Sequence, residues 1–176
     1  MNTHQRSVSG LLNVVTQMPE WNLAIFALLL NFPWEILQAP LFLGMAEAPF
    51  SEVVKGCAQG ALGDAVIILI GYGSVSLFAR DRRWVMAPSH RQLAGFILIG
   101  VLITAVIEWL ATRGSWVQNW TYSPAMPVLP GIGLGLAPLL QWVVLPPLVV
   151  WFVRRQLGGI EQPGLARAAQ YRPPSL

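Results

Sequence analysis

Glu35, Asp64 and Glu108 lie inside long apolar runs of a 176-residue chain. An ionised acid in hydrocarbon costs at least a few kcal/mol unless it is paired, hydrated or protonated. Two such groups forced together do not easily both stay ionised, so one should hold a proton while the other stays basic, which makes an acid and base pair. Asn31, Glu35 and Gln38 are four and three residues apart and share one helix face. Thr104 and Glu108 pair likewise, and Gln141 comes from a further apolar run. Three of these polar residues have a Trp as direct neighbour: Trp34-Glu35, Glu108-Trp109 and Gln141-Trp142. The expected site therefore has Glu35, Asp64 and Glu108 as catalytic residues, with Asn31, Trp34, Gln38, Trp109, Gln141 and Trp142 against the substrate. No His, Lys or Cys nucleophile accompanies them, and no basic residue at depth makes a cradle for a diphosphate. What remains is an acid that protonates an apolar substrate at an epoxide, allylic alcohol or enol-type group. Indole faces would stabilise the cation formed, each desolvated contact contributing about 2 kcal/mol.

Spanning about 30 Å of hydrocarbon takes about 20 helical residues, and the elements that must carry these groups are four such stretches: 21–43, 56–79, 92–112 and 132–153. The composition agrees, with 55% hydrophobic residues, 11% charged residues and a mean hydropathy of +0.55, where soluble domains carry roughly 25% charged residues. Uninterrupted apolar runs lack the alternation of a membrane barrel, so the spans are helices. The expected fold is all-α, a bundle of four transmembrane helices over 1–157, followed by a flexible cytoplasmic tail over 158–176. Placing both termini in the cytoplasm puts nine Arg residues inside and leaves Lys55 and Arg113 outside, the bias of a bacterial inner-membrane protein. Glu35 and Asp64 then lie about 12 Å below the outer boundary, Glu108 about 6 Å and Gln141 roughly 15 Å, at 1.5 Å per residue. Pro33 and Pro40 in the first span and Pro138, Pro146 and Pro147 in the fourth each remove a backbone hydrogen bond and should kink their helices. An aromatic outer connection from Arg113 to Gly131, with Trp116, Trp120, Tyr122 and Met126, would cover the site as a lid.

Composition also sets aside other classes. One cysteine makes no disulfide scaffold, and two His make no zinc or haem site of the usual kind. Although the pI is near 9.6, Lys and Arg collect at span ends and form no nucleic-acid face. No cofactor and no metal is assigned; the three acids have oxygen ligands suited to Mg²⁺, but their spacing does not demand it. Ordinary roles compete at several positions. Asn, Gln and Thr glue membrane helices for about 0.6 kcal/mol each. Gly56, Gly60 and Gly63 offer a close-packing surface, and Trp21, Trp84, Trp109, Trp116, Trp120 and Trp151 read as interfacial belts.

The segment Asn31-Phe32-Pro33-Trp34-Glu35 resembles the Asn-x-x-Trp-Glu segment in an early helix of the membrane-integral terpene cyclases of meroterpenoid and indole-diterpene pathways. The resemblance implies that Glu35 helps protonate an epoxide before cationic ring closure, with Asn31 and Trp34 orienting or shielding it. It covers five residues and one helix. Members of that family resemble seven-helix proteins with a later Asp, whereas four spans are counted here and Asp64 lies in a different context. The function expected is acid-base chemistry, such as cyclisation, isomerisation or hydration, on a lipid-soluble isoprenoid. Alternatives are a non-catalytic subunit that binds a quinone or carotenoid in a larger complex, and a proton-coupled carrier. Expected partners are that hydrophobic small molecule and membrane lipids, with no nucleic acid, and a homo-oligomer or membrane complex is open to the bundle.

Overall fold

A computed structural model describes residues 17–116 and 118–170, with side-chain environments to residue 159. Its elements are four α-helices: α1 (Pro19–Gln38), α2 (Phe50–Ala79), α3 (His90–Ala111) and α4 (Leu136–Gln170). All four are long and apolar enough to cross a membrane, α4 over Leu136–Gly159. This is the construction of an integral membrane protein. The side chains agree, because Leu37, Phe78, Leu77 and Leu98 are exposed on the helices, as a surface solvated by lipid requires.

Local chemistry sets the boundaries. Pro19 starts α1 at its first position, where its missing N–H costs nothing. The helix ends at Gln38, earlier than the expected residue 43, because Pro40 falls in a 3-10 turn over Ala39–Leu41 and ends the helix rather than kinking it. Helix α2 begins six residues before the expected start, directly after Pro49. Ser89 and Gln92 form a reciprocal capping box on α3, which satisfies two of its free donors. Gly131 and Gly133 both take positive φ, 81° and 73°, and delay α4 until Leu136. Pro138 then lies in its first turn and removes no helical bond, contrary to expectation. The stretch from residue 158, expected as a tail, is helical to Gln170. Residues 1–16 and 171–176, expected on the cytoplasmic side, lie outside the described residues.

Helices α1 and α3 each pack against both α2 and α4, closing a four-helix ring. At the arginine-rich end the core holds Trp84, only 1% exposed. It stacks with Tyr72, meets Phe96 edge-on and donates from its indole nitrogen to Ser76 Oγ at 3.2 Å. Trp84 therefore belongs to the core, not to an interfacial belt. Beside it Arg82 bridges to Glu20 at 2.6 Å, and Arg154 Nε donates to the Met86 carbonyl at 3.0 Å, fastening α1 and α4 to the α2–α3 connection.

Candidate functional site

At the opposite end three helices bring polar side chains to one point. The amide of Gln141 on α4 donates through Nε2 to Asn31 Oδ1 at 2.7 Å and Asp64 Oδ2 at 2.6 Å. Glu35 Oε1 lies 3.4 Å from the same nitrogen. Two carboxyls from different helices thus share one amide donor. Gln38 closes the group from the next turn of α1, its Nε2 donating to Glu35 Oε1 at 2.8 Å and to Gln141 Oε1 at 3.3 Å.

The amides have a fixed polarity. Asn31 Nδ2 donates to the Ala27 carbonyl, so its oxygen faces Gln141, whose nitrogen must then face the acids. At the other end the Trp34 indole N–H donates to Gln38 Oε1 at 3.2 Å, turning the Gln38 nitrogen toward Glu35. A backbone carbonyl and an indole therefore orient every amide between them. Glu35 Oε2 and Asp64 Oδ1 accept none of these bonds.

Gly60 makes room for this pair. A Cβ added there would lie 2.8 Å from Glu35 Oε2 and 3.0 Å from its Cδ, so only glycine lets the carboxyl rest against α2. Gly60 precedes Asp64 by four residues and shares its face, which is the signal that could have found it.

Glu108 is held separately. Its Oε2 accepts from the Trp120 indole at 3.1 Å and from the Tyr122 hydroxyl. That hydroxyl in turn accepts from the Gly135 N–H at 3.0 Å. Burial, and then the Glu108 carboxyl, push the Tyr122 phenol above its ordinary range.

Glu35, Asp64 and Glu108 line one cavity of about 680 Å³ together with Gln38 and Gln141, within the size range of small-molecule sites. Ile67, Ile107 and Pro138 give it apolar wall. Its aromatic wall comes from the connections: Phe42, Trp116 and Trp120. The connection between α3 and α4 is tied across it, since Phe42 and Tyr122 form a β-bridge and Leu43 N donates to the Thr121 carbonyl at 2.8 Å.

Other expected site residues stand elsewhere. Asn31 is buried behind the cavity wall and acts through Gln141. Trp34 meets Gln38 from outside the lining. Trp109 is 46% exposed, with the Arg113 guanidinium 4.5 Å from its ring centre. Trp142 is 2% exposed in the core, pressed on Gly100 so closely that a Cβ there would fall 2.0 Å from its Cε3. Thr104, read as helix glue, lines the cavity with its hydroxyl buried and unpartnered. Among the described residues no group of three or more His, Cys, Asp or Glu is placed to hold a metal ion.

No family model, curated protein or solved structure matches this chain. The class is set by the fold and the cavity: an all-helical membrane bundle enclosing an acidic, aromatic-walled chamber.

Proposed function

We propose that this protein is a membrane enzyme that performs carboxylate acid-base chemistry on a lipid-soluble, isoprenoid-like molecule. One observation carries the reading: Glu35 and Asp64, from separate helices, meet at the Gln141 amide on the wall of a cavity of about 680 Å³. Carboxyls so placed favour sharing one proton over carrying two charges. The protonated member gives its proton to an epoxide or hydroxyl oxygen, and the C–O bond breaks with its electron pair on oxygen, so that the cation forms on the more substituted carbon and a hydroxyl departs as water. The indoles of Trp116 and Trp120 face the resulting cation, and the other carboxylate takes a proton from the carbon beside it once ring closure or migration is complete. Asn31, Gln38 and Gln141 hold the pair in register, and Trp34 holds Gln38. The resemblance of Asn31-x-x-Trp34-Glu35 to membrane-integral terpene cyclases supports the same assignment of Glu35.

In the orientation proposed, the arginine-rich end lies in the cytoplasm of a bacterial inner membrane and the cavity opens toward the outer leaflet. The test is conversion of isoprenoid epoxides, allylic alcohols and enols by protein in lipid nanodiscs, with products separated by chromatography and weighed by mass spectrometry. Wild-type protein yields isomers of unchanged mass or hydrates from epoxides and products lighter by one water from allylic alcohols, and Glu35→Gln folds but yields none. Full turnover in that variant removes the proposed acid. A chromophore or quinone that copurifies with both proteins, with no turnover by either, supports a binding subunit instead.

A further inference from the structure

Charge is divided unevenly between the two ends of the bundle. Among the described side chains, the end that holds Trp84 exposes Arg80, Arg82, Arg83, Arg91, Arg154 and Arg155 and has only Glu20 and Asp81 against them. At the cavity end, exposed Lys55 and Arg113 are balanced by Glu47 and Glu52. Glu20 is taken by Arg82 at 2.6 Å, and Asp81 Oδ1 accepts the Arg83 backbone N–H at 2.7 Å. Among the described residues no carboxylate pairs with Arg154 or Arg155.

These two guanidinium groups are held by the protein even so. Arg154 Nε donates to the Met86 carbonyl at 3.0 Å, which leaves both terminal nitrogens as donors for another acceptor. Arg155 sits over the ring of Trp151, 5.2 Å from its centre. That ring is itself backed: it meets Phe152 edge-on at 4.8 Å, and Phe152 stacks on Phe26 of α1 at 5.3 Å. A guanidinium resting on an aromatic face keeps its planar fork of N–H groups for a phosphate. Below it, Val144, Leu148, Trp151 and Arg155 follow one another at intervals of four, three and four residues, so they share one face of α4. The three apolar members of that face are exposed. A fixed basic fork above an apolar stripe matches the phosphate and acyl chain of a phospholipid. A zwitterionic lipid would bring its own ammonium to uncompensated arginines, whereas an anionic one brings only the charge they lack.

We propose that the arginine-rich end of α4 binds an anionic phospholipid, with its phosphate on Arg155 and Arg154 and one acyl chain along Trp151, Leu148 and Val144. The inference needs neither the cavity nor a catalytic step, so loss of turnover leaves it standing.

The test uses full-length protein in uncharged dodecyl maltoside micelles, titrated with dioleoylphosphatidylglycerol or dioleoylphosphatidylcholine. Shifts of the thermal unfolding midpoint, followed by Trp fluorescence, are converted to apparent Kd. Wild-type protein should bind phosphatidylglycerol at least about tenfold tighter than phosphatidylcholine, which is about 1.4 kcal/mol. Arg155→Gln should lose most of that preference, and Arg155→Lys, which keeps the charge but not the fork, should retain part of it. Arg91→Gln removes a charge from the same end away from α4 and should keep the preference within about twofold. Glycerol 3-phosphate, which has the phosphate without the chains, should give no shift at the same concentrations. Equal binding of the two lipids by wild-type protein overturns the proposal. Equal losses in Arg155→Gln and Arg91→Gln also overturn it, because they mean a diffuse attraction of the whole end. A shift by glycerol 3-phosphate as large as that by the lipid refutes the acyl-chain face.

Discussion

Gln141→Leu removes the one side chain that bonds both acids. Leu keeps nearly the same volume, so the loss is mainly in hydrogen bonding. Two short bonds disappear, to Asn31 at 2.7 Å and Asp64 at 2.6 Å, with two longer contacts to Glu35 and Gln38 at 3.4 and 3.3 Å. In membrane bundles an average side-chain bond contributes about 0.6 kcal/mol, which sets the floor for the Asn31 bond. A bond to a charged group is worth about 1.5–3 kcal/mol, and stranding a buried acceptor adds to its loss. The expected cost is about 2–4 kcal/mol, read as the free energy of reversible unfolding in mixed detergent micelles titrated with a denaturing detergent. Thr104→Val is the matched control, for its hydroxyl bonds nothing; it should leave stability unchanged or raise it by about 1 kcal/mol, since an unsatisfied buried hydroxyl is removed. If Gln141→Leu costs no more than this control, the amide does not hold the acids together and the site as described fails.

Glycine substitutions should separate close approach from open space. Gly100→Ala drives a Cβ into Trp142 and should cost about 1–3 kcal/mol or more, whereas Gly63→Ala meets nothing within 4 Å and should be neutral or stabilising by up to about 1 kcal/mol; equal effects in the same unfolding titration would contradict the packing. Gly60→Ala should displace the Glu35 carboxyl and lower turnover at least tenfold while the helical content by circular dichroism stays unchanged; wild-type turnover would show that Glu35 does not need that position. Tyr122 titrates above its unfolded value of about 10, so the folded state binds the extra proton, and stability should fall as pH rises beyond about 10. Tyr122→Phe should flatten that fall, measured as the difference between unfolding free energies at pH 8 and pH 11; identical slopes would mean that the phenol is not held against Glu108.

The sequence made position along each helix legible and left direction around each helix poorly read. Hydropathy alone found the four long apolar helices, since apolar length is what a bilayer demands, but missed the start of α2 by six residues and the end of α4 by seventeen. Where the spans missed, Pro40, Pro49 and the positive-φ glycines of the last connection were the deciding residues. Glu35, Asp64 and Gln141 were brought together by arithmetic on rise per residue, and the 3–4 spacing of Asn31, Glu35 and Gln38 described their common face correctly. The three Trp neighbours illustrate the error. Consecutive residues on a helix point about 100° apart, so Trp109 turns out toward Arg113 when Glu108 turns in, and Trp142 enters the core when Gln141 enters the site. Aromatic adjacency in sequence was read as adjacency in space. The indoles that face the chamber come from a connection, where no helical periodicity locates them. Gly60 was treated as a packing residue because a missing side chain leaves no mark of what fills its place.

Tyr122 ties three segments through one ring. Its backbone bridges to Phe42, its oxygen bonds Glu108 on α3, and the same oxygen receives the N–H of Gly135 just before α4. Guests that came through the roof would have to unfasten this clasp and strip Glu108 of a donor at the moment of passage. Movement of that loop and the hydrogen bonding of one buried acid are thereby a single event.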